Sequence, residues 1–176
     1  MKTTHIFLTS IIIGFGIATA YAFYLRANNV QKVFKPIQSG LFVTEQLTEN
    51  DFRQISRVGI KTIIDLRPDG EAEDQISSSD MSEICEKRKI KFIYNPIPHG
   101  VIPEIGVSKL SEALQVSEKP VLMYCRSGKR AIRTFCLVEA SRVNGLGQTD
   151  LLKLAKESGF DADDLSEDIK KRISER

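Results

Sequence analysis

The chain has 176 residues, of which 25 are Lys or Arg and 23 are Asp or Glu, so its formal net charge is +2. Lys2 and Arg26 account for this excess, because the rest of the chain carries 23 basic and 23 acidic residues. A neutral globular part lacks the basic surface with which proteins neutralise nucleic acid phosphates, so a nucleic-acid-binding protein is excluded. The length allows one ordinary domain with an appendage.

The amino-terminal region, residues 1–28, differs from the rest. No charged residue stands between Lys2 and Arg26, and the apolar run over residues 6–25 matches the roughly 20 residues needed to span a bilayer. We expect a single-pass anchor that contacts the membrane through residues 4–26, in a bacterial inner membrane. The alternative is a secretory signal with small residues at its cleavage site. The flanking charges leave the side of the membrane open.

Elements of secondary structure alternate after the anchor. A polar linker is expected over residues 29–39 and a catalytic domain over 40–176. Strands are predicted at 40–44 (an edge strand), 60–66, 91–97 and 121–124. Helices are predicted at 48–58, 80–89, 107–116, 130–142, 149–158 and 164–173. This alternation is typical of an α/β fold with a mostly parallel central sheet flanked by helices.

Three cysteines occur, at positions 85, 125 and 136, and they form no C-x-x-C pair. Neither a disulfide framework nor a structural zinc site is indicated, and we predict no metal and no cofactor. Cys85 and Cys136 are read as core residues on helices, although a resolving role for Cys136 stays open.

The segment CRSGKR, which begins at Cys125, follows an apolar strand and precedes a helix. Backbone amides and a helix N-terminus at such a place bind anions, and a cysteine there is stabilised as the attacking thiolate. A buried core cysteine beside solvated arginines is the alternative. We therefore predict catalytic roles for Cys125 and Arg130. The predicted anion-binding residues are Arg126, Ser127, Gly128 and Lys129.

Four segments carry a resemblance to a known family. They are GLFVTEQLT from Gly40, RPDGE from Arg67, YCRSGKR from Tyr124 and ESGFD from Glu157. Over residues 33–165 the chain resembles the phosphatase-like domain of the bacterial beta-lactamase hydrolase-like proteins. The resemblance implies the fold of dual-specificity phosphatases, in a family described both as sulfurtransferases and as relatives of those phosphatases.

The spacing of the loop separates these two activities. Cysteine phosphatases use Cys, five residues and then Arg, a count that here reaches Ala131. Arg130 gives the shorter Cys-x4-Arg spacing, which resembles the active loop of rhodaneses. Residues 95–106 also contain no aspartate to protonate a leaving oxygen, although His99 and Glu104 are candidates.

The leading hypothesis is therefore a membrane-anchored sulfurtransferase in which Cys125 carries a persulfide between a small sulfur donor and a thiol acceptor. One rival is a cysteine-dependent phosphatase acting on a phosphorylated substrate, and another is a non-catalytic module that senses an anion or an oxidant. Asp65 and Arg67 end a buried strand and either flank Cys125 or form a local turn with Asp69 and Glu71. The oligomeric state stays open.

Overall fold

The computed structural model describes residues 32–176. The predicted membrane segment, residues 1–28, lies outside these described residues. Within residues 32–176, no helix is both long enough and apolar enough to cross a bilayer.

A five-stranded sheet forms the centre of the fold, in the order β1-β2-β5-β3-β4. Strands β1 and β2 pair antiparallel, whereas the other neighbouring strands of this sheet pair parallel. All four residues of β5 are buried, as expected of an apolar central strand. The strands are β1 (Lys35–Gln38), β2 (Leu41–Thr44), β3 (Thr62–Asp65), β4 (Lys91–Tyr94) and β5 (Val121–Tyr124).

The first strand corrects two predictions. The expected linker over residues 29–39 contains β1, so the sheet begins before Gly40. For the same reason β2 is not at the edge, because β1 covers its outer side. The sequence KPIQ has a lysine, a proline and a glutamine around one isoleucine, and this composition does not distinguish a short edge strand from a polar linker.

Within residues 32–176, six α-helices occupy positions close to those predicted. The capping arrangement at Thr48 is present, with its N–H donating to Asp51 Oδ2 at 2.7 Å ahead of α1. A cap at Ser77, whose Oγ accepts from the Asp80 N–H at 3.0 Å, explains why α2 begins two residues earlier than predicted. The helices are α1 (Phe52–Val58), α2 (Ser78–Lys87), α3 (Glu104–Gln115), α4 (Lys129–Ser141), α5 (Gln148–Glu157) and α6 (Ser166–Glu175).

Helices cover both faces of the sheet. Helices α1 and α2 pack on the face that carries Ile63, Leu122 and Tyr124. Helices α3 to α6 pack on the opposite face, which carries Met123 and Cys125. The predicted α/β fold with a mostly parallel sheet is confirmed. Because β2, β3, β4 and β5 run parallel, their carboxyl ends meet at one edge of the sheet, where ligands bind in such folds.

Candidate active site

Cys125 directly follows β5, at the carboxyl edge of the sheet. Its side chain is almost fully buried, with an exposed fraction of 1%. The Gly128 N–H donates a hydrogen bond to Cys125 Sγ at 3.2 Å. The loop between β5 and α4 therefore curls over the sulfur as predicted, and it presents a backbone donor to that atom.

Gly128 is required at its position for two reasons. Its φ is +90°, in the region that favours glycine. A Cβ atom there would also lie 2.9 Å from Cζ of Phe160 and 3.2 Å from the Thr44 carbonyl oxygen. The Phe160 ring in turn lies under Lys35, with the lysine Nζ 4.4 Å from the ring centroid. The loop is thus held from outside by Phe160, which belongs to the ESGFD segment.

Arg130 lies on the first turn of α4 and is held by Glu71. Its Nη1 and Nη2 donate to the two carboxylate oxygens of Glu71 at 2.7 and 2.6 Å, and Nη1 also donates to the Ile97 carbonyl at 2.7 Å. A guanidinium has five N–H donors, so two remain, on Nε and Nη2, along one edge of the group. Burial opposes the charge of Arg130, but hydrogen bonding to Glu71 and the negative charge of a Cys125 thiolate raise its pKa.

Glu71 joins a second arginine to this arrangement. Arg67, which is buried, donates from Nε to Glu71 Oε2 at 3.1 Å and from Nη1 to Gln46 Oε1 at 2.9 Å. The Gln46 N–H donates to the Arg126 carbonyl at 3.3 Å, so Gln46 connects Arg67 to the loop between β5 and α4. The hydrogen bonds from Arg130 are the largest cause that lowers the pKa of Glu71, which is therefore ionised at neutral pH.

Glu71 and Gln46 were not identified as site residues from the sequence. The four-residue spacing of Arg67 and Glu71 predicts their local ion pair, and that pair is present. No sequence signal relates Glu71 to Arg130, which is 59 positions away. Arg67 therefore forms the local turn and contacts the carboxylate that holds Arg130, and within residues 32–176 no hydrogen bond joins it to Cys125.

Asp65 supports this turn and does not face the thiol. It pairs in register with Tyr124, so its side chain lies on the opposite face of the sheet from Cys125. Its Oδ1 accepts from the Arg67 N–H at 2.7 Å. Oδ2 and the Tyr124 hydroxyl are buried without a hydrogen-bond partner in the described part of the chain. Burial raises the pKa of Asp65 to about 6, although the Arg67 N–H opposes this shift.

A pocket of about 320 Å³ opens beside the loop. One wall is the segment that runs from Pro98 through His99 to Ile102, and the floor is Arg126, Ser127, Lys129 and Arg130. Arg133 and Asp164 complete the lining. The side chains of Arg126, Ser127 and Lys129 are exposed. Three of the four predicted anion-binding residues, all except Gly128, thus line a positively charged pocket.

The two candidate proton donors are separated by the fold. His99 lines the pocket, whereas Glu104 begins α3 and pairs with Arg172. Cys85 and Cys136 lie in the cores on opposite faces of the sheet, and burial raises the pKa of each thiol to about 12. Ala131, where a Cys-x5-Arg motif needs arginine, is also fully buried.

Known proteins resemble this chain in sequence and in fold. A beta-lactamase hydrolase-like protein of Xylella fastidiosa is 28% identical over 126 residues, which are 71% of this chain and 29% of that protein. The chain thus spans less than a third of the length of this relative. A candidate phosphatase from Neisseria meningitidis is 28% identical, with a TM-score of 0.70 over 80% of this chain and 97% of its own.

A third comparison shows the fold alone. TpbA from P. aeruginosa, solved in complex with pTyr, has 15% identity and a TM-score of 0.57, over 82% of this chain and 89% of its own. The family model that matches residues 33–142 describes the phosphatase-like domain of beta-lactamase hydrolase-like proteins. This match covers more than half of the chain, which belongs to the family of beta-lactamase hydrolase-like proteins through their phosphatase-like domain.

Proposed function

We propose that this protein is a cysteine-dependent phosphatase in which Cys125 is the nucleophile. The observation that carries the proposal is the loop itself, in which Gly128 donates its N–H to Cys125 Sγ. Arg130 is close enough to interact with the Cys125 thiolate, and two of its N–H donors bind neither Glu71 nor Ile97. A phosphoryl group above the sulfur would present oxygens to the loop amides and to these donors. The phosphatase-like family and the fold shared with phosphatases support the same reaction.

Each group then has a defined role. The Cys125 thiolate attacks phosphorus, the bond from phosphorus to the leaving oxygen breaks, and a phosphocysteine forms. Arg130 stabilises the charge on the oxygens during this step, and Glu71 fixes the orientation of its guanidinium. Water then attacks phosphorus, the sulfur–phosphorus bond breaks, and dihydrogen phosphate leaves with the thiolate restored.

The test is hydrolysis of p-nitrophenyl phosphate by the purified full chain, beside Cys125→Ser and the control Cys85→Ala. Cys85 is a buried thiol on α2, so its removal tests whether loss of any cysteine disturbs the protein. We expect phosphate release from the wild type and the control only, and a mass increase of one phosphoryl group on Cys125 after rapid acid quenching. Release that persists in Cys125→Ser would overturn the proposal.

A second candidate function, sulfur transfer, is favoured by one observation. Arg130 stands at the Cys-x4-Arg spacing of rhodanese loops, and the next residue, Ala131, is buried where a phosphatase motif needs arginine. In this reaction Cys125 attacks the outer sulfur of a donor and holds it as a persulfide for an acceptor thiol. Transfer from thiosulfate to cyanide, dependent on Cys125 and without phosphate release, would favour this function over the phosphatase.

The membrane anchor over residues 4–26 is a further proposal, supported by the apolar sequence alone. A topology reporter fused after Arg176 would identify the side on which the catalytic domain lies.

A further inference from the structure

Two carboxylates beside the pocket are already occupied by arginines. Asp164 Oδ2 accepts from Arg133 Nη2 at 2.6 Å, and Glu71 Oε2 accepts from Arg130 Nη2 at 2.6 Å. These hydrogen bonds are the largest cause that lowers the pKa of each carboxyl group. Both groups are ionised at neutral pH, so neither has a proton to donate to a leaving oxygen.

Two further carboxyls lie away from the reacting atoms. Glu104 accepts from Arg172 Nη1 at 3.1 Å and lines a different groove, between α3 and α4. Asp65 is 1% exposed and faces away from Cys125. Within residues 32–176, Asp164 is the only carboxylic acid that lines the pocket, and its ion pair with Arg133 keeps it from serving as a proton donor. His99 lines it, but within the described chain no hydrogen bond orients its ring.

The same pocket has more positive charge than one phosphoryl group requires. Arg130 and Arg133 are paired with Glu71 and Asp164. Arg126 and Lys129 also line the pocket, are exposed, and form no ion pair within residues 32–176. Exposed cations next to a reacting phosphoryl group favour a ligand that carries a second negative charge there.

We propose, on the basis of the phosphatase function above, that the substrate is a phosphoanhydride, with its terminal phosphoryl group over Cys125 and the next phosphate on Arg126 and Lys129. Sγ attacks the terminal phosphorus, and the electron pair of the broken anhydride bond passes to the bridging oxygen. That oxygen leaves as part of a phosphate, a weak base that needs no proton from the enzyme. Water then releases dihydrogen phosphate from phosphocysteine.

The experiment compares kcat/KM of the full chain for inorganic diphosphate, phenyl phosphate and glycerol 3-phosphate without added metal. The signal of Cys125→Ser is subtracted as a blank. Since a general acid contributes about 10²- to 10⁴-fold, we expect diphosphate to exceed glycerol 3-phosphate by at least about 100-fold. Lys129→Met should lower kcat/KM for diphosphate more than for phenyl phosphate, because phenol carries no second charge.

Two negative results remain distinguishable. If no substrate is hydrolysed in a manner that depends on Cys125, the phosphatase function itself fails. If glycerol 3-phosphate is hydrolysed as fast as diphosphate, the phosphatase stands and the phosphoanhydride is refuted. In that second case, His99→Gln tests whether His99 protonates the alkyl leaving group. Loss of glycerol 3-phosphate hydrolysis with unchanged diphosphate hydrolysis would identify His99 as the general acid.

Discussion

Replacing Glu71 by glutamine tests whether the carboxylate that joins two arginines positions the active loop. Glu71 accepts two hydrogen bonds from Arg130, at 2.7 and 2.6 Å, and one from Arg67 at 3.1 Å. Glutamine keeps one acceptor oxygen, but its NH₂ group is a donor and cannot accept a hydrogen bond from an arginine N–H. At least one charge-assisted hydrogen bond is therefore lost, at a cost of about 1.5 to 3 kcal/mol.

The expected effect on catalysis follows from the position of Arg130. Its two free donors are useful only if the guanidinium stays fixed beside the sulfur, and small displacements of such groups reduce rates by about 100-fold. We expect kcat/KM of Glu71→Gln to fall about 10- to 100-fold, while the free energy of unfolding in urea falls by no more than about 3 kcal/mol.

The matched control is Glu73→Gln, two positions along the same loop, because Glu73 is exposed and forms no ion pair within residues 32–176. It removes the same charge without disturbing either arginine. If Glu71→Gln and Glu73→Gln have equal kcat/KM, then Glu71 does not position Arg130.

Three further predictions concern the loop, the buried carboxyl and the anchor. Gly128→Ala should lose most activity because it adds a contact at 2.9 Å to Phe160 as well as backbone strain, whereas Gly59→Ala has similar strain in open space and should stay active in the same assay. The pKa of Asp65 is raised from 3.8 to about 6, so the stability linked to its protonated form is lost as pH rises from about 4 to 6. The free energy of unfolding of Asp65→Asn in urea, relative to that of the wild type, should therefore increase by up to about 3 kcal/mol between pH 4 and 7. A difference in unfolding free energy that does not change with pH would contradict this prediction. The full chain should sediment with membranes, and a chain that begins at Lys32 should not. Equal sedimentation of the two chains would contradict the proposed anchor.

Local pattern in the sequence was sufficient for most of the fold. The apolar run of β5, the cap at Thr48 and the alternation of strands with helices predict a parallel sheet covered on both faces, because burial and capping act within a few residues. The position of Cys125 between a strand and a helix also follows from this local order. By contrast, β1 has a composition like that of a linker, and it becomes a strand only because β2 offers it an unpaired edge.

The sequence by itself determined the loop and the spacing of Arg130 and predicted Cys125 as the nucleophile, since these depend on neighbouring residues. Only the tertiary structure decided what surrounds them. Glu71 reaches Arg130 across 59 positions. Asp65 pairs with Tyr124 and shares its face of the sheet, whereas the next residue, Cys125, points to the opposite face. Such contacts depend on how distant segments meet at the carboxyl edge of the sheet. The preference for phosphoryl transfer over sulfur transfer rests instead on the loop around Cys125 and on the phosphatase-like family and fold.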